Sequence, residues 1–130
     1  MFATLLQVAL GGAIGASLRY LSNVAAMRIF GPGFPAGTLF VNILGSFAMG
    51  VLIIALAKKG GTHLAPLLLT GILGGFTTFS TYTVDIRRLV EAGRPGIGLV
   101  YLAATPCAAL AAVWLASATV RRVLTRREQA

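Results

Sequence analysis

Hydroxyls and aromatic rings crowd one stretch of an otherwise apolar chain, Gly74-Gly75-Phe76-Thr77-Thr78-Phe79-Ser80-Thr81-Tyr82-Thr83. The hydroxyls of Thr77, Thr78, Ser80 and Thr81 both donate and accept hydrogen bonds. Phe79 and Tyr82 are three apart and share a face wherever the segment is helical. An aromatic ring is electropositive at its edge. Neutral donors and ring edges together favour a small anion without a full opposing charge. The same residues also suit a tightly packed, glycine-rich helix whose hydroxyls bond back onto its own carbonyls. Two adjacent glycines followed by β-branched and aromatic residues make a poor continuous helix, which predicts a break near Gly74 to Thr78. A break at membrane depth is tolerated where it lines a cavity or binds an ion. Its freed carbonyls are ligands for a hard cation.

Other polar residues stand in apolar surroundings, where each needs a reason. Asn42 offers two N–H donors and one acceptor, and Ser46 lies one turn further along the same face. An interhelical hydrogen bond and an ion pathway are both open to Asn42. Tyr101 and Thr105 are four apart and either line one track or simply pack. Pro106 implies a local kink that frees a carbonyl. Arg19 lies late in an apolar run, where it either snorkels to the interface or sets a positive potential at a pore mouth.

Absences narrow the chemistry. The acidic residues are Asp85, Glu91 and Glu128, none deep in an apolar run, so a proton-coupled cation exporter lacks its membrane carboxylate. His63 stands alone at a helix end, and no nucleophile–base–orienter set exists, which argues against an enzyme. Cys107 is the single cysteine and sits in an apolar run, where it reads as a small packing residue. The net charge of +8 does not mark a nucleic-acid binder, because the basic residues fall in short groups between apolar runs and not on one stripe.

The elements that must position these residues follow from composition. Hydrophobic residues make up 57% of the 130-residue chain and charged residues 11%, against roughly 25% charged in a soluble domain. The apolar excess therefore faces lipid. A bilayer core takes about 20 apolar residues, and four stretches meet that length, at about 4–27, 38–57, 64–83 and 96–120. The fold class is an all-α membrane protein, one domain of four transmembrane helices with a break in the third. The first stretch has no basic leader and continues past its small residues, so it is read as a retained helix. Gly31-Pro32-Gly33-Phe34-Pro35, Lys58-Lys59-Gly60-Gly61 and Gly93-Arg94-Pro95-Gly96 punctuate the connections. The basic segment 121–130 is expected to fray in water. Gly11 and Gly15, Gly12 and Ala16, and Gly71 and Gly75 are spaced for close helix approach in lipid.

Four helices enclose little interior, so an oligomer is expected. With four spans, Lys58, Lys59, Arg121, Arg122, Arg126 and Arg127 share one side of the membrane. Arg28, Arg87, Arg88 and Arg94 share the other, with Arg19 if the first helix ends early. That weak bias permits insertion both ways round, with two opposed copies pairing about an axis in the membrane plane.

The chain resembles the Fluc (CrcB) fluoride channels over essentially its whole length. The resemblance rests on Gly11-Gly12-Ala13-Ile14-Gly15-Ala16-Ser17-Leu18-Arg19-Tyr20, on Gly37-Thr38-Leu39 with Val41-Asn42 and Gly45-Ser46-Phe47, and on Gly74-Gly75-Phe76-Thr77-Thr78-Phe79-Ser80-Thr81. It implies a dual-topology antiparallel homodimer in the cell membrane, with two pores that passively export fluoride and relieve its toxicity. It implies a structural sodium ion held by the carbonyls of Gly74 and Thr77. It puts the pore aromatics on Phe79 and Tyr82, the pore amide on Asn42 and the hydroxyl track on Ser80 and Thr81, with Arg19 at a vestibule. Ser46, Tyr101 and Thr105 complete the expected pathway. Tyr82 departs from the family's usual Phe, and Thr105-Pro106-Cys107 has no obvious counterpart. The rival classes are a small multidrug-type exporter and a non-transporting assembly subunit whose polar residues only join helices.

Overall fold

The computed structural model describes residues 1–59 and 62–128, so Gly60 and Gly61 of the expected second loop and residues 129–130 lie outside the described residues. Helix α1 spans Phe2–Phe30 and stops at Gly31, whose φ of 72° an L side chain rarely adopts; its N–H returns to the Met27 carbonyl at 2.9 Å. Helix α2, Ala36–Lys59, starts directly after Pro35. A short 3₁₀ turn at Thr62–Leu64 leads into α3. This α3 is π-wound over Pro66–Leu73 and adds one α turn at Gly74–Phe76. The chain then breaks at Thr77 and Thr78, whose ψ angles of 157° and 123° are extended, and resumes as α4, Phe79–Glu91. Gly93, at φ 73°, turns it into α5, Pro95–Glu128.

Among the described residues, four helical units are long and apolar enough to cross a membrane: Phe2–Phe30, Ala36–Lys58, Pro66–Glu91 and Pro95–Arg126. The third is α3 and α4 joined at the break. The protein is therefore an all-α, multi-pass membrane protein. Each helical unit runs past the C-terminal end of the apolar stretch that marks it, because backbone hydrogen bonding does not stop where hydropathy falls. The segment after Val120, expected to fray, stays helical to Glu128; within it the Thr125 hydroxyl bonds back to the Arg121 carbonyl at 3.0 Å. The third span runs past residue 83 to Glu91, which carries Asp85 inside the helix and buries it.

Small residues make the seams. A Cβ on Gly11 would stand 2.9 Å from the Gly71 Cα, and one on Gly75 would stand 2.7 Å from the Gly12 carbonyl oxygen. The α1 and α3 backbones therefore touch, with no room for a methyl between them. The π winding serves the same seam. The Gly74 N–H reaches back five residues to the Leu69 carbonyl, which widens the turn. On the other side α2 packs on α5, where Gly50 faces Ala116 and the Ser117 hydroxyl donates to the Gly50 carbonyl at 3.4 Å.

The buried core is small. Val41 and Tyr101 are its largest fully buried side chains, while rings such as Phe40, Phe47, Phe79 and Trp114 face outward. The accessible surface is 8388 Å², against roughly 6500 Å² for a soluble monomer of this mass.

Candidate ion pathway

The break is built by a cross-helix clamp. Asn42, on α2, places its amide against the backbone of Thr78. The Thr78 N–H donates to Asn42 Oδ1 at 2.8 Å, and Asn42 Nδ2 donates to the Thr78 carbonyl at 3.0 Å. A continuous helix would have sent the Thr78 N–H to the Gly74 carbonyl, four residues back. The Thr81 N–H would have gone to the Thr77 carbonyl in the same way, but it goes to Thr78 Oγ1 at 3.2 Å, an N-cap for α4. Thus the Gly74 and Thr77 carbonyls both lose their helical donors. The Thr77 carbonyl takes a long bond from Arg19 Nη1, at 3.3 Å. Thr77 itself is pinned by its hydroxyl, which donates to the Leu73 carbonyl at 2.9 Å. The two freed carbonyls are neutral oxygen donors at one break, which suits a hard monovalent cation. The guanidinium of Arg19 beside one of them opposes that cation.

An open groove of about 430 Å³ lies alongside the break, between α2, α4 and α5. Asn42, Ser46, Thr78, Phe79, Tyr82 and Thr105 are among its lining residues. Among the described residues, no Asp, Glu, His, Lys or Arg lines it. Asn42 has a second amide N–H beyond the one given to Thr78, so the clamp residue keeps a donor for the groove.

From the groove a run of rings crosses the molecule. Phe79 lies 5.5 Å from Tyr82, Tyr82 lies 5.4 Å from Tyr101, and Tyr101 meets Phe34 edge-on at 5.7 Å. Phe79 is 77% exposed, whereas Tyr82 is 4% and Tyr101 1% exposed. Beyond the rings is a second cavity of about 190 Å³, which Asn23, Thr38, Thr81, Asp85 and Arg88 help to line. Behind the groove the Tyr101 hydroxyl is buried close to the hydroxyls of Thr38 and Thr105, and neither it nor the Thr105 hydroxyl makes a well-aligned hydrogen bond among the described residues.

The structure thus brings Asn42, Ser46, Phe79, Tyr82 and Thr105 to one groove, with Tyr101 behind it. Ser80 and Thr81 are held at the start of α4, their hydroxyls 3.2 and 3.1 Å from Thr78 Oγ1, and Thr81 opens on the second cavity and not on the groove. Arg19 stands at the break, not in either cavity. The Tyr82 hydroxyl turns away from the groove and donates to the Leu102 carbonyl at 2.5 Å.

Three residues of the pathway region went unremarked as site residues in the sequence. Thr38 is buried one turn before Asn42 on the same face of α2, and that spacing was the available signal. Phe34 sits in the glycine- and proline-rich loop, where only its type set it apart. Asp85 is 7% exposed, with Oδ1 3.7 Å from Arg88 Nη1 and Oδ2 without a partner. It lies four residues after Thr81, on the same face.

Four apolar spans, a clamped break in the third and a groove of neutral donors beside it define a small integral membrane protein of the ion-conducting kind. Over residues 6–117 the chain matches the family model described as CrcB-like protein, Camphor Resistance (CrcB), and it belongs to that family. It is 53% identical over 121 residues to a protein of Cereibacter sphaeroides named "Fluoride-specific ion channel FluC", covering 93% of this chain and 97% of that one. A protein of Paracoccus denitrificans with the same name is 54% identical over 121 residues, 93% of this chain and 96% of the relative. "Fluoride-specific ion channel FluC 1" of Streptomyces coelicolor is 49% identical over 123 residues, 93% of this chain and 79% of the relative.

Proposed function

We propose that the chain is a passive, fluoride-selective channel of the cell membrane that lets accumulated fluoride leave the cytoplasm. One observation carries the reading: the groove beside the break is lined by amide, hydroxyl and aromatic side chains set in an apolar wall, and by no charged side chain among the described residues. Fluoride is small and holds its water tightly, so a pathway must replace those hydration bonds nearly one for one. The free amide N–H of Asn42, the hydroxyls of Ser46 and Thr105 and the edge of Phe79 offer such replacements. None of them binds strongly enough to hold the ion in place. Behind Thr105, the buried hydroxyls of Tyr101 and Thr38 continue the donors toward the second cavity, which Thr38 helps to line. Ser80, Thr81 and Tyr82 shape this path, and Arg19 sets the local potential at the break.

The working unit is an antiparallel homodimer. The break residues Gly74, Phe79 and Ser80 lie on the outer face of one chain, and the groove is open on that side. A second copy in opposite orientation closes both. The near balance of basic residues between the two sides supports insertion both ways. The carbonyls of Gly74 and Thr77 from each copy then hold a structural sodium ion, whose role is to join the copies at the break.

Efflux from liposomes containing the purified protein, read with a fluoride electrode and repeated with chloride, tests the function. Fast fluoride release without chloride release is the expected result. Failure of a folded dimer to release fluoride would leave the assembly-subunit reading standing. A fluorophore-reactive tag at the C-terminus, reached from both faces of the membrane, is the expected result for dual topology; access from one face alone would overturn it.

A further inference from the structure

Tyr82 and the stretch Thr105-Pro106-Cys107 are where this chain departs from the pattern it resembles, and the structure ties Tyr82 to Pro106. Proline has no N–H, so Pro106, inside α5, offers nothing to the carbonyl four residues earlier. That carbonyl belongs to Leu102. In a membrane-spanning helix an unsatisfied carbonyl is costly, because lipid supplies no donor. Here the donor comes from another helix. The Tyr82 hydroxyl, on α4, reaches the Leu102 carbonyl at 2.5 Å. Phenylalanine at position 82 would fill the same space and leave the carbonyl bare. An alanine at position 106 would restore the helical donor and make the hydroxyl redundant.

We infer that the Tyr82 hydroxyl, the Leu102 carbonyl and Pro106 form a lock between α4 and α5 that fixes the seat of the Tyr82 ring in the ion pathway. Tyr82 is a positioning residue in this sense, and its hydroxyl does not serve the ion. Two consequences follow from the geometry. The ring is nearly buried, touching Phe79 on one side and Tyr101 on the other, so its seat sets the spacing of the whole run of rings. Pro106 also sits in the groove wall, next to Thr105, so the same bond bears on where that buried hydroxyl points.

The positioning role rests on the channel reading, but the bond does not. The test is a double-mutant cycle on Tyr82→Phe, Pro106→Ala and the pair, read two ways: melting of the detergent-solubilised protein and fluoride efflux from liposomes. One such hydrogen bond shifts a seated population by up to about tenfold. Tyr82→Phe alone is therefore expected to lower the melting temperature and to cut fluoride efflux about five- to tenfold. In the Pro106→Ala background the same substitution is expected to leave the melting temperature nearly unchanged and to change efflux less than twofold, because the helical N–H satisfies Leu102. Equal effects of Tyr82→Phe in both backgrounds would overturn the lock. Coupling in melting without coupling in efflux would overturn its positioning role and leave a structural bond. If the parent releases no fluoride, the channel reading and the positioning role fail together, and melting still decides the bond.

Discussion

Replacing Asn42 with alanine removes the clamp that creates the break. Two hydrogen bonds are lost, at 2.8 and 3.0 Å, and both go to the backbone of the buried Thr78. A made bond is worth about 0.5–1.5 kcal/mol net, and an orphaned buried partner costs about 1–3 kcal/mol. The groove runs past Asn42 and Thr78, so water reaches part of the gap and the lower half of that range applies. The expected loss is about 2–4 kcal/mol of unfolding free energy. It should appear as a reduced midpoint in denaturant titration of the purified protein. Ser46→Ala is the control. It trims the same groove from the same helix face but breaks neither bond of the clamp, so its stability should stay within about 0.5 kcal/mol of the parent. Fluoride efflux should fall with Asn42→Ala beyond what the loss of folded protein explains, because the groove also loses its amide N–H. A variant as stable as the parent would refute the clamp, and with it the account of how the Gly74 carbonyl loses its helical donor.

Gly15→Ala puts a methyl 2.8 Å from the Phe76 backbone nitrogen, so α1 and α3 must separate; a loss of about 1–3 kcal/mol is expected. Gly12→Ala meets nothing within 4 Å, and the same denaturation assay should find it neutral or more stable by up to about 1 kcal/mol. Phe79→Ile keeps bulk and removes the ring edge, so fluoride efflux from liposomes should fall at least about tenfold, the effect of about 1.4 kcal/mol; normal conduction would remove the ring from the mechanism. Thr105→Val deletes a buried hydroxyl that sits beside the Tyr101 hydroxyl without a well-aligned bond to it, so stability should change by less than about 1 kcal/mol while fluoride efflux drops. A loss of stability with unchanged flux would make Thr105 a packing residue.

The spans were legible because lipid demands long apolar runs, and little else in a chain of this length satisfies that demand. The break was legible from Gly74-Gly75 and the β-branched residues after it. Its cause was not. Nothing local shows that Asn42, 36 residues earlier, takes the Thr78 N–H, because the bond depends on how α2 lies against the break. The π winding of Pro66–Leu73 was hidden for a similar reason: it answers the contact of Gly71 and Gly75 with α1, which is a tertiary demand. The burial of Asp85 was not legible, because its neighbours Arg87 and Arg88 look like the end of a span. The helix in fact runs on to Glu91, with Arg87 bonded to Glu91 at 2.7 Å in its last turns. Arg19 was assigned to a vestibule from type and position alone, and only the coordinates put it on the Thr77 carbonyl.

The burial of Asp85 reopens the argument from missing carboxylates, and geometry closes it again. A carboxylate that trades protons for a cation must face the cargo site. Asp85 instead faces the second cavity, with the cationic Arg88 at 3.7 Å on its own helix, and it is absent from the groove wall. The groove offers a cation no formal counter-charge, and Arg19 stands beside the nearest freed carbonyl. The arrangement therefore suits an anion along the groove and tolerates a cation only where several carbonyls converge. One chain supplies two of those carbonyls, at Gly74 and Thr77, on an outward-facing break. Converging more of them takes a second break, which the opposed copy of the proposed dimer would bring without any further sequence.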